Sequence, residues 1–179
     1  MEINEELTAR ARKIRILITD VDGVLTPGQI ILDNDGNEMK AFHVRDGHGI
    51  KMLQRAGIPV GIITGRKSKV VEARAKELGI EPHLVHQGAL DKLIIFKELV
   101  KEHGYADDEV AYIGDDIVDI PIMSRVGLAF AVGDAEEYVK EAAHLVSARA
   151  GGKAAVREII DYLLKAKGEW AAVTAKYFC

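Results

Sequence analysis

The sequence predicts an α/β fold, a parallel sheet covered by helices on both faces, and three observations carry that prediction. Apolar runs such as Ile16-Leu17-Ile18 and Val60-Gly61-Ile62-Ile63 lack the polar alternation of a half-solvated strand, as expected of strands buried on both sides. Segments with apolar residues at helical spacing separate these runs. Glycines stand where those helices should stop, at Gly57, Gly79 and Gly104. Strands alternating with helices of this length form a Rossmann-like sheet with right-handed crossovers, so the loops at the strands' C-terminal ends are neighbours in space.

Taken in order, residues 2–13 read as a short helix with Ile3, Leu7 and Ala11 on one stripe, leading into a first strand at 16–18. Residues 29–33 and 38–44 flank Asn34-Asp35-Gly36-Asn37, and Asp-Gly between extended runs signals a β-hairpin, here spanning 29–43. Two strands alone are marginal in water, so the hairpin must lie against something. A helix over 49–56 and a strand over 59–64 follow, then a helix over 68–78 and a short strand over 83–86. Next come a helix over 91–103, a strand over 110–113, and a helix over 117–126 that is kinked or properly started at Pro121. A strand over 128–132, a helix over 135–142, a sixth strand over 144–147 and a terminal helix over 153–167 complete the reading. No repeat or linker interrupts it, so 1–179 reads as one domain, with 153–179 as its C-terminal helix and tail.

Composition bounds the function. The chain has 179 residues, 48% hydrophobic and 29% charged, with a formal charge of −4, and no long Lys/Arg run. That balance argues against nucleic acid or an anionic membrane as partner, and any phosphate site must be locally basic. The charged start and the lack of a long apolar run predict a cytoplasmic protein. Cys179 is the only cysteine, which leaves no disulfide framework or cysteine metal cluster, and the six histidines show no zinc-ligand spacing.

The chemistry is concentrated at predicted strand ends. Asp20 and Asp22 close the first strand, and at two-residue spacing both carboxylates can face one spot. Two such carboxylates can divide the work, Asp20 as a nucleophile on phosphorus and a metal ligand, Asp22 as the acid that protonates the leaving oxygen and later deprotonates water, although D-x-D by itself equally marks a solvated turn. Strand 59–64 ends in Thr64-Gly65-Arg66, where a hydroxyl, approachable backbone N–H groups and a fork-shaped cation can hold a phosphoryl group. Strand 110–113 ends in Gly114-Asp115-Asp116, with Asp119 close behind. Acids so crowded call for a cation, and oxygen-only ligands suit Mg²⁺; Asp116 or Asp119 should also cap the following helix.

In this order DVDGVLT, TGR, a lysine and GDDIVD, over residues 16–119, resemble the four motifs of the haloacid dehalogenase superfamily of phosphatases. The resemblance implies a HAD-like fold with Asp20 as nucleophile and Asp22 as general acid/base. It further implies Thr64 and Lys92 as phosphate binders and Asp115 as the main metal ligand beside Asp20, with the Asp22 backbone carbonyl completing the protein's share of a Mg²⁺ shell. Larger members carry a cap domain after the first motif or between the second and third; only the hairpin fits the first place, and 66–92 holds no more than a helix and a strand, so the chain is expected to have no cap domain.

The longer strings FHVRDGHGI, TGRKS, QGALDK, YIGDDIVDIPIM, VGLAFAV and GGKAAVREIIDYLLKAKGEW are similar to the capless, tetrameric branch of 3-deoxy-D-manno-octulosonate (KDO) 8-phosphate phosphatases. That similarity implies a sugar-acid phosphate substrate, a place in lipopolysaccharide biosynthesis, a homotetramer, and Arg45, Asp46 and Gly47 near the substrate. The chain departs from the branch at Lys153 and Ala154. A nine-carbon sialic-acid-type sugar 9-phosphate is the alternative substrate. A receiver-like signalling domain, the alternative of a different class, has no need of an acid two residues after its phosphoacceptor.

Overall fold

In the computed structural model, which describes residues 4–178, six parallel strands form one sheet. They are β1 (Ile16–Thr19), β4 (Val60–Thr64), β5 (Val85–Gln87), β6 (Val110–Gly114), β7 (Leu128–Ala131) and β8 (Leu145–Val146), lying side by side in the order β5-β4-β1-β6-β7-β8. β2 (Ile31–Leu32) and β3 (Glu38–Met39) make a separate antiparallel hairpin. Every residue of β1, β4, β6 and β7 is buried, as the unbroken apolar runs require of strands sandwiched between helical layers. The chain leaves β1 first to one side and, after β5, returns to β1's other side with β6, so β1 and β6 flank the topological switch point where open α/β sheets form their ligand crevice.

Helices α1 (Glu5–Lys13), α2 (Val44–Arg55), α3 (Lys69–Glu77), α4 (Lys92–His103), α5 (Ile120–Met123), α6 (Glu137–Ala142), α7 (Ala155–Ala166) and α8 (Trp170–Thr174) accompany the sheet. Side-chain caps fix the starts of several: Asn4 accepts the Leu7 N–H at 2.8 Å, and Asp91 accepts those of Leu93 and Ile94 at 3.0 and 3.2 Å. Among the described residues no helix is long and apolar enough to cross a membrane. Glu2 and Ile3 of the expected first helix, and Cys179, lie outside the described residues.

Four expectations change. The hairpin strands are two residues each rather than five and seven, and residues 40–43 are not strand. α2 begins at Val44 instead of residue 49, because His43 Nδ1 accepts the Arg45 N–H at 3.1 Å and Gly47 and Gly49 continue the helix instead of breaking it. A side chain at Gly47 would strike Arg74, and one at Gly49 would crowd Arg157 of α7, so these glycines serve close packing. The third sheet strand shifts to Val85–Gln87, since Pro82 starts a 3-10 turn over Pro82–Leu84, and the ring beside His83 is that of His103, with centroids 4.9 Å apart, rather than His86. The helix expected over 117–126 does start properly at Pro121, in the first turn of α5, but a 3-10 turn, Ile117–Asp119, precedes it and it stops at Met123. α8 and the 3-10 turn Ala175–Tyr177 were not anticipated.

α7 starts unusually. Ala154 takes a left-handed φ of 72° and offers no side-chain cap, and Asp46 of α2 supplies one from outside, its Oδ1 accepting the Arg157 N–H at 2.7 Å.

Candidate active site

The end of β1 places Asp20 at the switch point, where its N–H donates to the Ile113 carbonyl at 3.1 Å and ties it to β6. The side chain is almost wholly buried. Its Oδ2 lies 2.7 Å from Lys92 Nζ, while Oδ1 is buried without a hydrogen-bond partner among the described residues. Lys92 opens α4 and is itself buried, its ammonium also 2.7 Å from Asp119 Oδ1. A cation at a helix N-terminus opposes the macrodipole, so the two carboxylates are what hold it there. Burial works to lower the Lys92 pKa, and Asp20 and Asp119 more than reverse it.

Asp119 is fully engaged. Beyond Lys92, its Oδ1 accepts the Tyr112 hydroxyl at 2.7 Å, and its Oδ2 accepts the backbone N–H groups of Asp115 and Asp116 at 3.0 and 3.2 Å. Asp116 accepts the Ile117 N–H at 2.7 Å, so both acids cap the 3-10 turn, as the spacing suggested for one of them. Asp115, just past β6, is left with a buried Oδ1 that has no partner among the described residues. Gly23, at φ +90°, lies against the Asp115 carboxylate, where a Cβ could not fit.

One oxygen each from Asp20, Asp115 and Asp119 lie within 4.8 Å of one another. Burial pushes Asp20 up to about 6 in spite of Lys92, and pushes Asp115 up to about 8, with Asp20 and Asp119 adding repulsion. Two orphaned carboxylate oxygens, both resisting ionisation, fit a small hard cation. Because Asp119 already accepts four hydrogen bonds, Asp20 and Asp115 are the pair with oxygens to spare.

Asp22 does not join this group. The strand ends at Thr19, so the alternation that would aim both acids at one spot no longer operates, and the two carboxylates share no partner. The Asp22 carboxylate pairs with Lys40 and lies 3.8 Å from Arg66 Nε; its part in a metal site would be the backbone carbonyl. Thr64 ends β4, buried, and accepts the Ala89 N–H at 3.0 Å through its carbonyl, while the Arg66 carbonyl accepts that of Gly88 at 3.2 Å. These bonds lock the Thr64-Gly65-Arg66 loop to the segment that leads into Lys92. Arg66 reaches Glu38 of the hairpin at 2.9 Å.

Arg45, Asp46 and Gly47 lie on the first turn of α2. Asp46 is committed to α7 and Gly47 to Arg74, whereas Arg45 is exposed. Asp119, Tyr112, Glu38 and Lys40 take parts that sequence reasoning did not assign. Asp119 was visible as one of three crowded acids, but a lysine in a hairpin reads as solvated.

The fold and this constellation define the class: residues 85–160 match the family model of haloacid dehalogenase-like hydrolases. The chain is 48% identical over 167 residues to the 3-deoxy-D-manno-octulosonate 8-phosphate phosphatase KdsC of Escherichia coli (strain K12), covering 93% of this chain and 88% of that protein. The solved structure of the 3-deoxy-D-manno-octulosonate 8-phosphate phosphatase from Moraxella catarrhalis, in complex with magnesium ion, phosphate ion and KDO, superposes with a TM-score of 0.94 at 38% identity over 98% of this chain and 99% of that one. The cobalt-bound enzyme from Haemophilus influenzae gives 0.86 at 45% identity, over 91% of this chain and 94% of that one. This chain belongs to the KDO 8-phosphate phosphatase family of haloacid dehalogenase-like hydrolases.

Proposed function

We propose that the chain is a Mg²⁺-dependent phosphomonoesterase that converts KDO 8-phosphate to KDO and phosphate. The observation that carries this reading is the state of Asp20: one oxygen held by Lys92, the other buried and, among the described residues, unpartnered, on a carboxyl grouped with those of Asp115 and Asp119. Asp20 and Asp115, with the Asp22 backbone carbonyl, would hold Mg²⁺, which when bound supplies positive charge to the phosphoryl oxygens and keeps both carboxylates ionised.

Asp20 attacks phosphorus in line, forming an aspartyl-phosphate as the bond to the sugar oxygen breaks. Lys92 stays against Asp20 and offsets the charge that the substrate brings. Thr64, Gly65 and Arg66 grip the phosphoryl oxygens. The leaving sugar oxygen takes its proton from Asp22, and Asp22 then takes a proton from the water that attacks phosphorus, releasing phosphate and restoring Asp20. A panel of sugar phosphates assayed for phosphate release tests the reading. KDO 8-phosphate should be hydrolysed with the highest kcat/KM, and chelator should abolish the reaction; a preference for a nine-carbon 9-phosphate would overturn the substrate.

Asp22→Asn should lower kcat/KM, which reports formation of the aspartyl-phosphate, far more for KDO 8-phosphate than for p-nitrophenyl phosphate, whose leaving group departs without a proton. General-acid assistance is worth roughly 10²–10⁴-fold for a poor leaving group. Equal losses of kcat/KM on both esters would count against the acid role.

Metal binding should depend on pH. Asp20 and Asp115 both sit above the ordinary carboxylate value, so between about pH 4 and pH 8 the folded, metal-free protein binds more protons than the unfolded chain and loses stability as pH rises. Mg²⁺ needs both ionised, and the rise in Tm that it produces should grow from about pH 5 to about pH 8. A shift that is constant or shrinks over that range would contradict the ligand assignment.

The hairpin supports a homo-oligomer, and we take it to be a tetramer in the cytoplasm. Ile30, Leu32 and Met39 are 62%, 58% and 51% exposed, an apolar surface on an element too small to stand alone. Packed against other subunits it would be buried and would bring Arg45 towards a neighbour's crevice. Ile30→Asp with Leu32→Asp should dissociate the assembly in sedimentation velocity; an unchanged oligomer would remove the hairpin from the interface.

A further inference from the structure

The hairpin brings to the site a buried charge that none of these steps uses. Lys40 directly follows β3, and its side chain is only 2% exposed, although a lysine on a surface ribbon can ordinarily reach water. Its ammonium meets the Asp22 carboxylate and stands 3.3 Å from Glu38 Oε1. That Glu38 oxygen accepts from Arg66 Nη2 at 2.9 Å, and Arg66 Nε lies 3.8 Å from Asp22 Oδ2. The ring of four charges closes across three segments: the loop after β1, the base of the hairpin and the Thr64-Gly65-Arg66 loop.

From this closed ring we infer that Lys40 is a positioning residue for Asp22, fixing the orientation in which its carboxylate meets the leaving oxygen. Asp22 lies beyond the end of β1, so no strand geometry aims it. Of the two cations near Asp22, Arg66 is 47% exposed and the more distant, so water screens it, whereas Lys40 is dry and in contact. An acid free to turn would spend little time in the productive geometry, and misplacement by about 1 Å can cost about 10²-fold in rate. The base of the hairpin therefore belongs to the catalytic apparatus of its own chain, whatever covers its tip.

The inference rests on reading Asp22 as the general acid/base, and the test separates the two. Lys40→Met and Lys40→Arg are made alone and in the Asp22→Asn background, and kcat and KM are measured on KDO 8-phosphate and on p-nitrophenyl phosphate. Lys40→Met should lower kcat/KM on the sugar ester by about 10²-fold and should affect kcat/KM on the aryl ester much less. Lys40→Arg should recover most of the loss. In the Asp22→Asn background Lys40→Met should cost nothing further, because the residue it positions is gone. Lys40→Gln carries the same comparison if Lys40→Met does not fold. Losses that multiply with that of Asp22→Asn, or that fall equally on both esters while Asp22→Asn alone discriminates between them, would overturn the role of Lys40. If Asp22→Asn alone fails to discriminate, the acid role is what fails, and the double variant still reports whether the two residues act as a unit.

Discussion

Asp20→Asn is expected to abolish turnover while leaving the fold intact. The amide has the shape of the carboxylate and can still accept from Lys92 Nζ, which lies 2.7 Å from Asp20 Oδ2, so the packing at the end of β1 has no reason to change. What disappears is the nucleophile. An amide oxygen is too weakly basic to attack a phosphate ester, and losing a nucleophile that works as part of a unit costs roughly 10⁴-fold or more in kcat. Phosphate release measured beside a cooperative thermal melt checks both halves. A variant that melts like the parent yet retains a substantial fraction of its activity would remove Asp20 from the chemistry.

Lys92→Met is expected to remove activity and also much of the stability. The ammonium is the shared partner of two buried carboxylates, 2.7 Å from each, and an apolar side chain of similar length leaves both uncompensated. Breaking a buried ion pair from one side costs about 3–5 kcal/mol, a large part of what a domain of this size has to spare. The loss should shrink as pH falls: Asp20 already protonates near 6 in the intact site, and without Lys92 its remaining neighbours favour the neutral form still more. Denaturant titrations of the metal-free protein at about pH 5 and about pH 8 should therefore show the larger deficit at the higher pH. A deficit independent of pH would mean that Lys92 contributes packing alone.

How much of this was legible in the sequence follows from how local each signal is. Strands buried on both faces announce themselves as unbroken apolar runs, so β1, β4, β6 and β7 were placed within a residue or so, and α4 was readable from Asp91 before it and Gly104 after it. The start of α2 was missed because Gly47 and Gly49 look like breakers, and only the approach of Arg74 and Arg157, distant in sequence, explains why a helix contains them. Asp20 and Asp22 were found because they head the longer string DVDGVLT, and the acids at the end of β6 because carboxylates so crowded repel one another unless a cation sits there. Their division of labour was not found: Asp119 holds Lys92, Tyr112 and two backbone N–H groups, and that follows from a turn geometry with no spacing signature. Lys40 was invisible for the same reason, since its burial depends on the hairpin folding back on the loop after β1. Asp46 was placed near the substrate by resemblance, and in this chain its contact with α7 replaces the cap that Ala154 lacks.

The central claim is that phosphate passes through Asp20, and the most direct measurement is of the protein after it has reacted. Asp22→Asn should form the aspartyl-phosphate from an activated aryl ester but hydrolyse it slowly, because the group that deprotonates water is missing. Acid quench within a single turnover, with Mg²⁺ present, followed by mass spectrometry, should find the protein heavier by one phosphoryl group. That group should be labile to hydroxylamine, map to the peptide containing Asp20, and be absent from the Asp20→Asn/Asp22→Asn double variant. Stoichiometric release of the aryl alcohol without a covalent phosphate, or a phosphate carried on any other residue, would contradict the account.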